Sequence, residues 1–249
     1  MNLEFTFEGT AYRADANGAV DCSLPICNNG LTAWGIGPAR ISPYQDGDFI
    51  GSVAAGASVN FRDINFNPHA HGTHTECLGH ITPENETVLD VPPAPWCMAR
   101  VLTLEPRGEG EHYFIARADL EKALEPGPLP ALVLRTGTEA SRMAVKDWSG
   151  AGAPFLEAVA AAYLAQRGVT HLLIDLPSVD PESDGGALAA HKAFWGLPGE
   201  PRRDATITEF ISVPDALPDG WYLLNLQMAP FQNDACPSRP LLFPLVEVR

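Results

Sequence analysis

The chain has 249 residues, of which 45% are apolar and 19% charged, and 31 Asp plus Glu against 16 Lys plus Arg leave a formal net charge of −15. There is enough apolar residue for a sizeable core. The charge excludes a protein that tracks a phosphate backbone or an anionic membrane, since both tasks need clustered Lys and Arg.

Taken in chain order, residues 3–7 alternate apolar and polar side chains, as a half-buried strand does. Residues 20–68 are rich in Gly, Pro, Asn and Asp and read as connections with short apolar runs such as 49–53. Residues 132–134 predict a short buried strand ending in turn chemistry. Residues 154–168 predict a helix, with Pro154 in its first turn, an apolar stripe and Gly168 as its cap. A strand at 171–174, a loop to Pro181 and a second helix at 187–195 follow. Strands at 205–213, 221–227 and 241–248 complete the reading, which is that of a mixed α/β sheet protein. With no internal repeat and no linker, residues 1–249 are expected to form a single domain.

No run approaches the roughly 18 consecutive apolar residues of a membrane span, and the first residues carry neither a basic start nor an apolar core of a signal peptide. Cys22, Cys27, Cys77, Cys97 and Cys236 are odd in number and make no CxxC pair, which fits reduced thiols. The expected location is the cytoplasm.

Four of the seven histidines, His69, His71, His74 and His80, fall within twelve residues, where an even spread would place fewer than one. Imidazole nitrogens with a nearby carboxylate, Glu76, are the ligand set of zinc and of borderline first-row metals. On an extended chain His74 and Glu76 share a face and can reach one ion. Gly72 is expected to let the backbone turn tightly between ligands. His80, beyond another glycine, is placed to return as a general acid/base. A polar loop with solvated histidines is the plain alternative, and their interleaving with Gly and Glu weighs against it.

The run Gly72-Thr73-His74-Thr75-Glu76-Cys77-Leu78-Gly79-His80 resembles the Gly-Thr-His-x-Asp-x-x-x-His signature of the cyclase-like metal-dependent hydrolases. That family includes bacterial kynurenine formamidases and isatin hydrolases. Asp21-Cys22-Ser23-Leu24-Pro25-Ile26, Leu134-Arg135-Thr136-Gly137, the loop ending Ser178-Val179-Asp180-Pro181, Ala190-His191 and Ile207-Thr208-Glu209-Phe210-Ile211 resemble further family blocks in the family's order. The resemblance implies a three-layer β/β/α swivelling-type domain with a mixed sheet, few helices and a metal site in a mouth between strands. It implies that a histidine before the Gly-Thr-His binds one metal with His74, and that Glu76 stands where the family bridges with Asp. His191 would bind a second metal, Glu209 would bridge or complete the pair and hold water in register, and His80 would shuttle the proton. Trp34 would line the substrate pocket. The implied cofactor is zinc or manganese, one or two ions per subunit, and the implied assembly is a homodimer or higher homo-oligomer.

The family writes His-x-Gly-Thr-His, whereas Ala70 stands two before Gly72 with His69 and His71 on either side; His69 is favoured, because His71 abuts the glycine. Glu76 adds a methylene to the family's Asp, and Leu78 and Gly79 stand where the family has proline. The expected activity is metal-assisted hydrolysis of an amide or cyclic amide of a small carbonyl substrate, with metal-activated water and His80 as acid/base. A lactone or ester hydrolase, a cyclase, and a non-catalytic metal or small-ligand binding protein are the alternatives on the same residues.

Overall fold

The computed structural model describes residues 2–92, 95–109, 112–137 and 146–248. The strands are β1 (Asn2–Phe7), β2 (Thr10–Asp15), β3 (Val20–Asp21), β4 (Arg40–Pro43), β5 (Gln45–Asp46), β6 (Phe49–Ile50), β7 (Arg62–Asn65) and β8 (His74–Glu76). They continue as β9 (Trp96–Thr103), β10 (Arg107–Glu109), β11 (His112–Ile115), β12 (Ala131–Arg135), β13 (Phe155–Leu156), β14 (His171–Ile174), β15 (Thr206–Glu209), β16 (Gly220–Met228) and β17 (Ala235–Glu247). Helices among the described residues are α1 (Pro68–His71), α2 (Arg117–Ala123), α3 (Ala158–Gln166) and α4 (Ala189–Phe194).

The fold is mixed α/β with few helices. The main sheet runs β1-β2-β17-β16-β9-β12-β14-β15-β8, and β8 pairs back onto β17, so the last seven of these strands close on themselves. β9, β12, β14 and β15 are mutually parallel, whereas β8, β16 and β17 join antiparallel. Two of the parallel strands, β12 and β14, carry continuous apolar runs, residues 131–134 and 172–174, because both their faces are covered. Val133, Leu173 and Leu224 fill the inside of the closure, while Leu132, Leu172 and Ile207 point outward beneath α3 and α4. The closed, barrel-like mixed sheet carries α3 and α4 on its outer side.

The helix expected at 154–168 begins later, at Ala158, because Phe155 and Leu156 pair with Phe114 and Ile115 as strand β13. Gly168 does end it, with φ +77 and its N–H on the Ala165 carbonyl. The strand expected at 205–213 stops at Glu209, since Phe210 takes φ +54 and turns the chain. That early stop leaves Glu209 at the open end of its strand.

Candidate metal centre

The chain around Gly72 is built by two short elements. Asn67 caps α1 by accepting from the His69 backbone N–H (2.9 Å), and Pro68 occupies the first helical position. Two residues along a helix turn the side chain by about 200°, so His69 and His71 point to opposite sides. His71 accepts from the Asn67 N–H at Nδ1 (2.8 Å) and donates from Nε2 to the Gly37 carbonyl (2.8 Å). His69 instead faces the cluster, with Nδ1 3.2 Å from Glu76 Oε2.

The tight turn expected at Gly72 is absent; its φ of 169 is ordinary extended backbone. Glycine is needed there for close approach, because a Cβ would lie 2.9 Å from Ile26 Cγ1 and 3.0 Å from the Leu24 carbonyl. Thr73 ties the same segments together, accepting from Leu24 N–H (2.7 Å) and donating to the Phe210 carbonyl.

Strand β8 then behaves as its two-residue period requires. Thr75 points inward and bonds Thr208 and Ser238 (2.8 Å each), while His74 and Glu76 point outward, fully buried under α4. Register sets His74 opposite Glu209 and Glu76 opposite Ile207. The site therefore lies on the helix-facing side of β8 and β15, and not in a mouth between strands, since the interior of the closure is packed.

His191 enters from α4. Asp180 accepts from the backbone N–H groups of Ala190 (2.7 Å) and His191 (3.0 Å) and from His191 Nδ1 (2.6 Å), so one carboxylate caps the helix and sets the ring. His191 Nε2 meets Glu76 Oε1 at 2.8 Å. Glu209 is held by the Val179 N–H on Oε1 (2.9 Å). His80 follows on a single 3-10 turn, Leu78–His80, with Nε2 3.7 Å from Glu76 Oε2.

Ligand-type atoms within 4.8 Å of one another group as His69, His74 and Glu76; as Glu76, His80 and His191; and as His69, His80 and Asp234. All five expected metal-binding side chains, His69, His74, Glu76, His191 and Glu209, thus converge with His80 on one cluster. The longer glutamate explains how one carboxylate touches histidines from three separate elements.

Asp234 was not signalled by the sequence. It is a lone acid in a polar loop before β17, yet its Oδ2 lies 2.9 Å from His69 Nε2 and 3.0 Å from His80 Nδ1. Only the pairing of β17 with β8 brings it there.

The electrostatics call for a cation. His74 Nδ1 is 3.1 Å from the Gly72 carbonyl, a bond that requires a proton on Nδ1 and so makes Nε2 the nitrogen with which this ring would hold a metal. Nε2 has no hydrogen bond and faces Glu209 Oε2 at 3.4 Å; Glu76 Oε2, equally buried, has none either. Buried polar atoms left without partners are costly, and nitrogen-plus-carboxylate donors placed in this way suit a divalent transition metal.

In the protein alone, protons provide the compensating charge. Burial disfavours charge on Glu76, but the facing His80 and His191 hold its carboxyl well below the usual range. Burial likewise opposes charge on His69, and is outweighed by the Asp234 and Glu76 carboxylates, which raise it to about 10. His191 is raised well above its ordinary value, burial being overcome by Glu76, Asp180 and Glu209. A metal binding here must displace such protons.

A cavity of about 300 Å³ opens beside the cluster, lined by Trp34, His69, His80, Ser178, His191 and Glu209. Its size is that of a small-molecule pocket. Trp34 donates its indole N–H to the His69 carbonyl (2.9 Å), anchoring α1 and leaving its ring at the cavity wall.

Residues 20–181 match the Cyclase family. The chain is 29% identical over 231 residues to the kynurenine formamidase of Bacillus anthracis, covering 91% of this chain and 97% of that one. It is 28% identical over 215 residues to the kynurenine formamidase of Bordetella petrii, covering 81% and 88%. Its fold is that of isatin hydrolase A from Labrenzia aggregata, solved bound to benzyl benzoate, with a TM-score of 0.65 at 15% identity over 90% of this chain and 93% of that one.

Proposed function

Because the chain belongs to the Cyclase family, we propose that it is a metal-dependent hydrolase of C–N bonds other than peptide bonds, cleaving a small amide or cyclic amide. The observation that carries this reading is the buried His74 Nε2, without a hydrogen bond and facing Glu209 beside a small cavity, with the unbonded Glu76 Oε2 on the same cluster. The kynurenine formamidase relatives, covered along nearly their whole length, support the amide as the bond attacked.

His69, His74, Glu76, His191 and Glu209 would hold one or two ions, zinc or manganese. When bound, the metal acts as a Lewis acid that polarises the carbonyl and acidifies water near it. The chain's own residues do the rest. Glu209, fixed by the Val179 N–H, keeps the His74 side of the site in register. His80, on the cavity wall with Nε2 3.7 Å from Glu76 Oε2, removes one proton from the attacking water and delivers it to the departing nitrogen; the acid so formed gives its own proton to solvent, and amide and water leave as carboxylate, amine and that proton. Trp34 offers a ring face to an aromatic substrate.

The chain is read as one domain that assembles as a homodimer. Support comes from the arm carrying β4–β7, where Phe49, Ile50, Val53, Phe61 and Ile64 stand exposed. Five free cysteines support a reducing compartment, the cytoplasm. No helix among the described residues is long and apolar enough to cross a membrane.

The test is hydrolysis of N-formyl anilines and isatin-type lactams by protein of defined metal content. Activity should vanish with EDTA and return with zinc or manganese. His80→Ala should lose turnover by about 10²–10⁴-fold while its metal content stays near wild type. Metal loss in that variant moves His80 into the ligand set, and bound metal without hydrolysis of any amide leaves only a binding protein.

A further inference from the structure

One carboxylate oxygen touches both a candidate ligand and the candidate proton carrier. Asp234 Oδ2 lies 2.9 Å from His69 Nε2 and 3.0 Å from His80 Nδ1. The two rings stack, with centroids 4.3 Å apart and planes 29° from parallel. Their remaining nitrogens, His69 Nδ1 and His80 Nε2, both point at Glu76 Oε2, at 3.2 and 3.7 Å.

We propose that Asp234 is the positioning residue of this centre, holding the proton of His69 on Nε2 and that of His80 on Nδ1. An ionised carboxylate accepts only, so each ring must offer it an N–H. In the neutral rings of the metal-loaded centre the consequence is a pair of opposite tautomers: His69 offers Nδ1 to the metal that displaces its second proton, and His80 offers Nε2 to the substrate's proton. Neither of these nitrogens touches Asp234, which therefore acts through both rings.

The placement of Asp234 is itself well determined. Its backbone carbonyl accepts from the Cys77 N–H (3.0 Å), and the adjacent Ala235 pairs with Glu76. The Asn233 carbonyl accepts from Val88 N–H (2.9 Å). The loop is thus clamped to the segment that carries His74, Glu76 and His80. A shift of that loop would be felt by ligand and proton carrier together.

This inference rests on the metal and proton roles given above to His69 and His80, and one experiment separates the two. Zinc-loaded protein with ¹⁵N-labelled histidine reports each tautomer by long-range ¹H–¹⁵N correlation. Wild type should show His80 as Nδ1–H and zinc on His69 Nδ1. In Asp234→Ala, His80 should move to the Nε2–H form, zinc affinity should fall about 10–100-fold, and kcat should fall at least about tenfold with KM within about threefold. Asp234→Asn keeps an acceptor oxygen and should restore the His80 tautomer and most of the affinity. Unchanged tautomers in Asp234→Ala, or zinc found on His69 Nε2, would overturn the assignment. Tautomer and affinity changes in a protein that hydrolyses no amide would keep Asp234 in place and remove the hydrolase reading. Amide hydrolysis by wild type with tautomers indifferent to Asp234 would do the reverse.

Discussion

Asp175 shows how a single side chain stores pH dependence away from the histidine–glutamate cluster. It follows β14, is 2% exposed and accepts from the Thr136 N–H on both oxygens (3.0 and 2.9 Å). Burial pushes its carboxyl up to about 6, with the Thr136 hydrogen bonds opposing the rise. A carboxyl that holds its proton more tightly when folded stabilises the fold at low pH, and that contribution is lost as pH climbs from its ordinary value through about 6. Asn imitates the protonated acid, so Asp175→Asn should gain on wild type across that window, by about 1–3 kcal/mol. Denaturation of both proteins between about pH 4 and pH 7 reads the difference; a flat or falling difference rules the account out. At the same scale, His69, His74, Glu76 and His80 were legible because they are neighbours along the chain. Asp234 was not, because nothing near it in sequence marks a lone acid as a partner of histidines more than 150 residues away.

Among the elements, the 3-10 turn at Leu78–His80 depends on one residue having no side chain. A Cβ on Gly79 would overlap the backbone carbonyl oxygen of Glu86, which cannot swing aside as a flexible side chain can. Gly79→Ala should therefore destabilise by about 1–3 kcal/mol and displace His80, lowering kcat more than metal content. A melting temperature within about 1 °C of wild type would contradict this. The elements themselves were unevenly legible. β14 was read to the residue, because Leu172-Leu173-Ile174 is apolar on both faces and is followed by turn chemistry. β9 was missed, since Arg100 interrupts its apolar run. α2 was missed because it is seven residues long and has no side-chain cap. The position of the site on the outer face was also hidden, for it follows from closure of the sheet and from no local pattern.

For the whole molecule, assembly is the property most open to measurement. Large apolar side chains exposed together on the β4–β7 arm mark a surface that another subunit can cover. Light scattering should give twice the 26.7 kDa chain mass, and Ile64→Lys with Phe61→Asp should reduce it to that of one chain without a large loss of stability, both sites being exposed. A monomeric wild type would sink the dimer.

β17 bears on how the molecule comes into being. It pairs with β2, β3, β16 and β8, so it joins the hairpin of the first residues to the strand that carries His74 and Glu76. β8 has its two pairing partners in β15 and β17, both far downstream, and such long-range pairing folds slowly and only after its late strands exist. Every side chain of the centre, from His69 to Asp234, precedes Ala235. A nascent chain halted at that point would own all the donors of the centre and lack the strand that gathers them, so the affinity for metal arrives with β17 and not with the donors themselves.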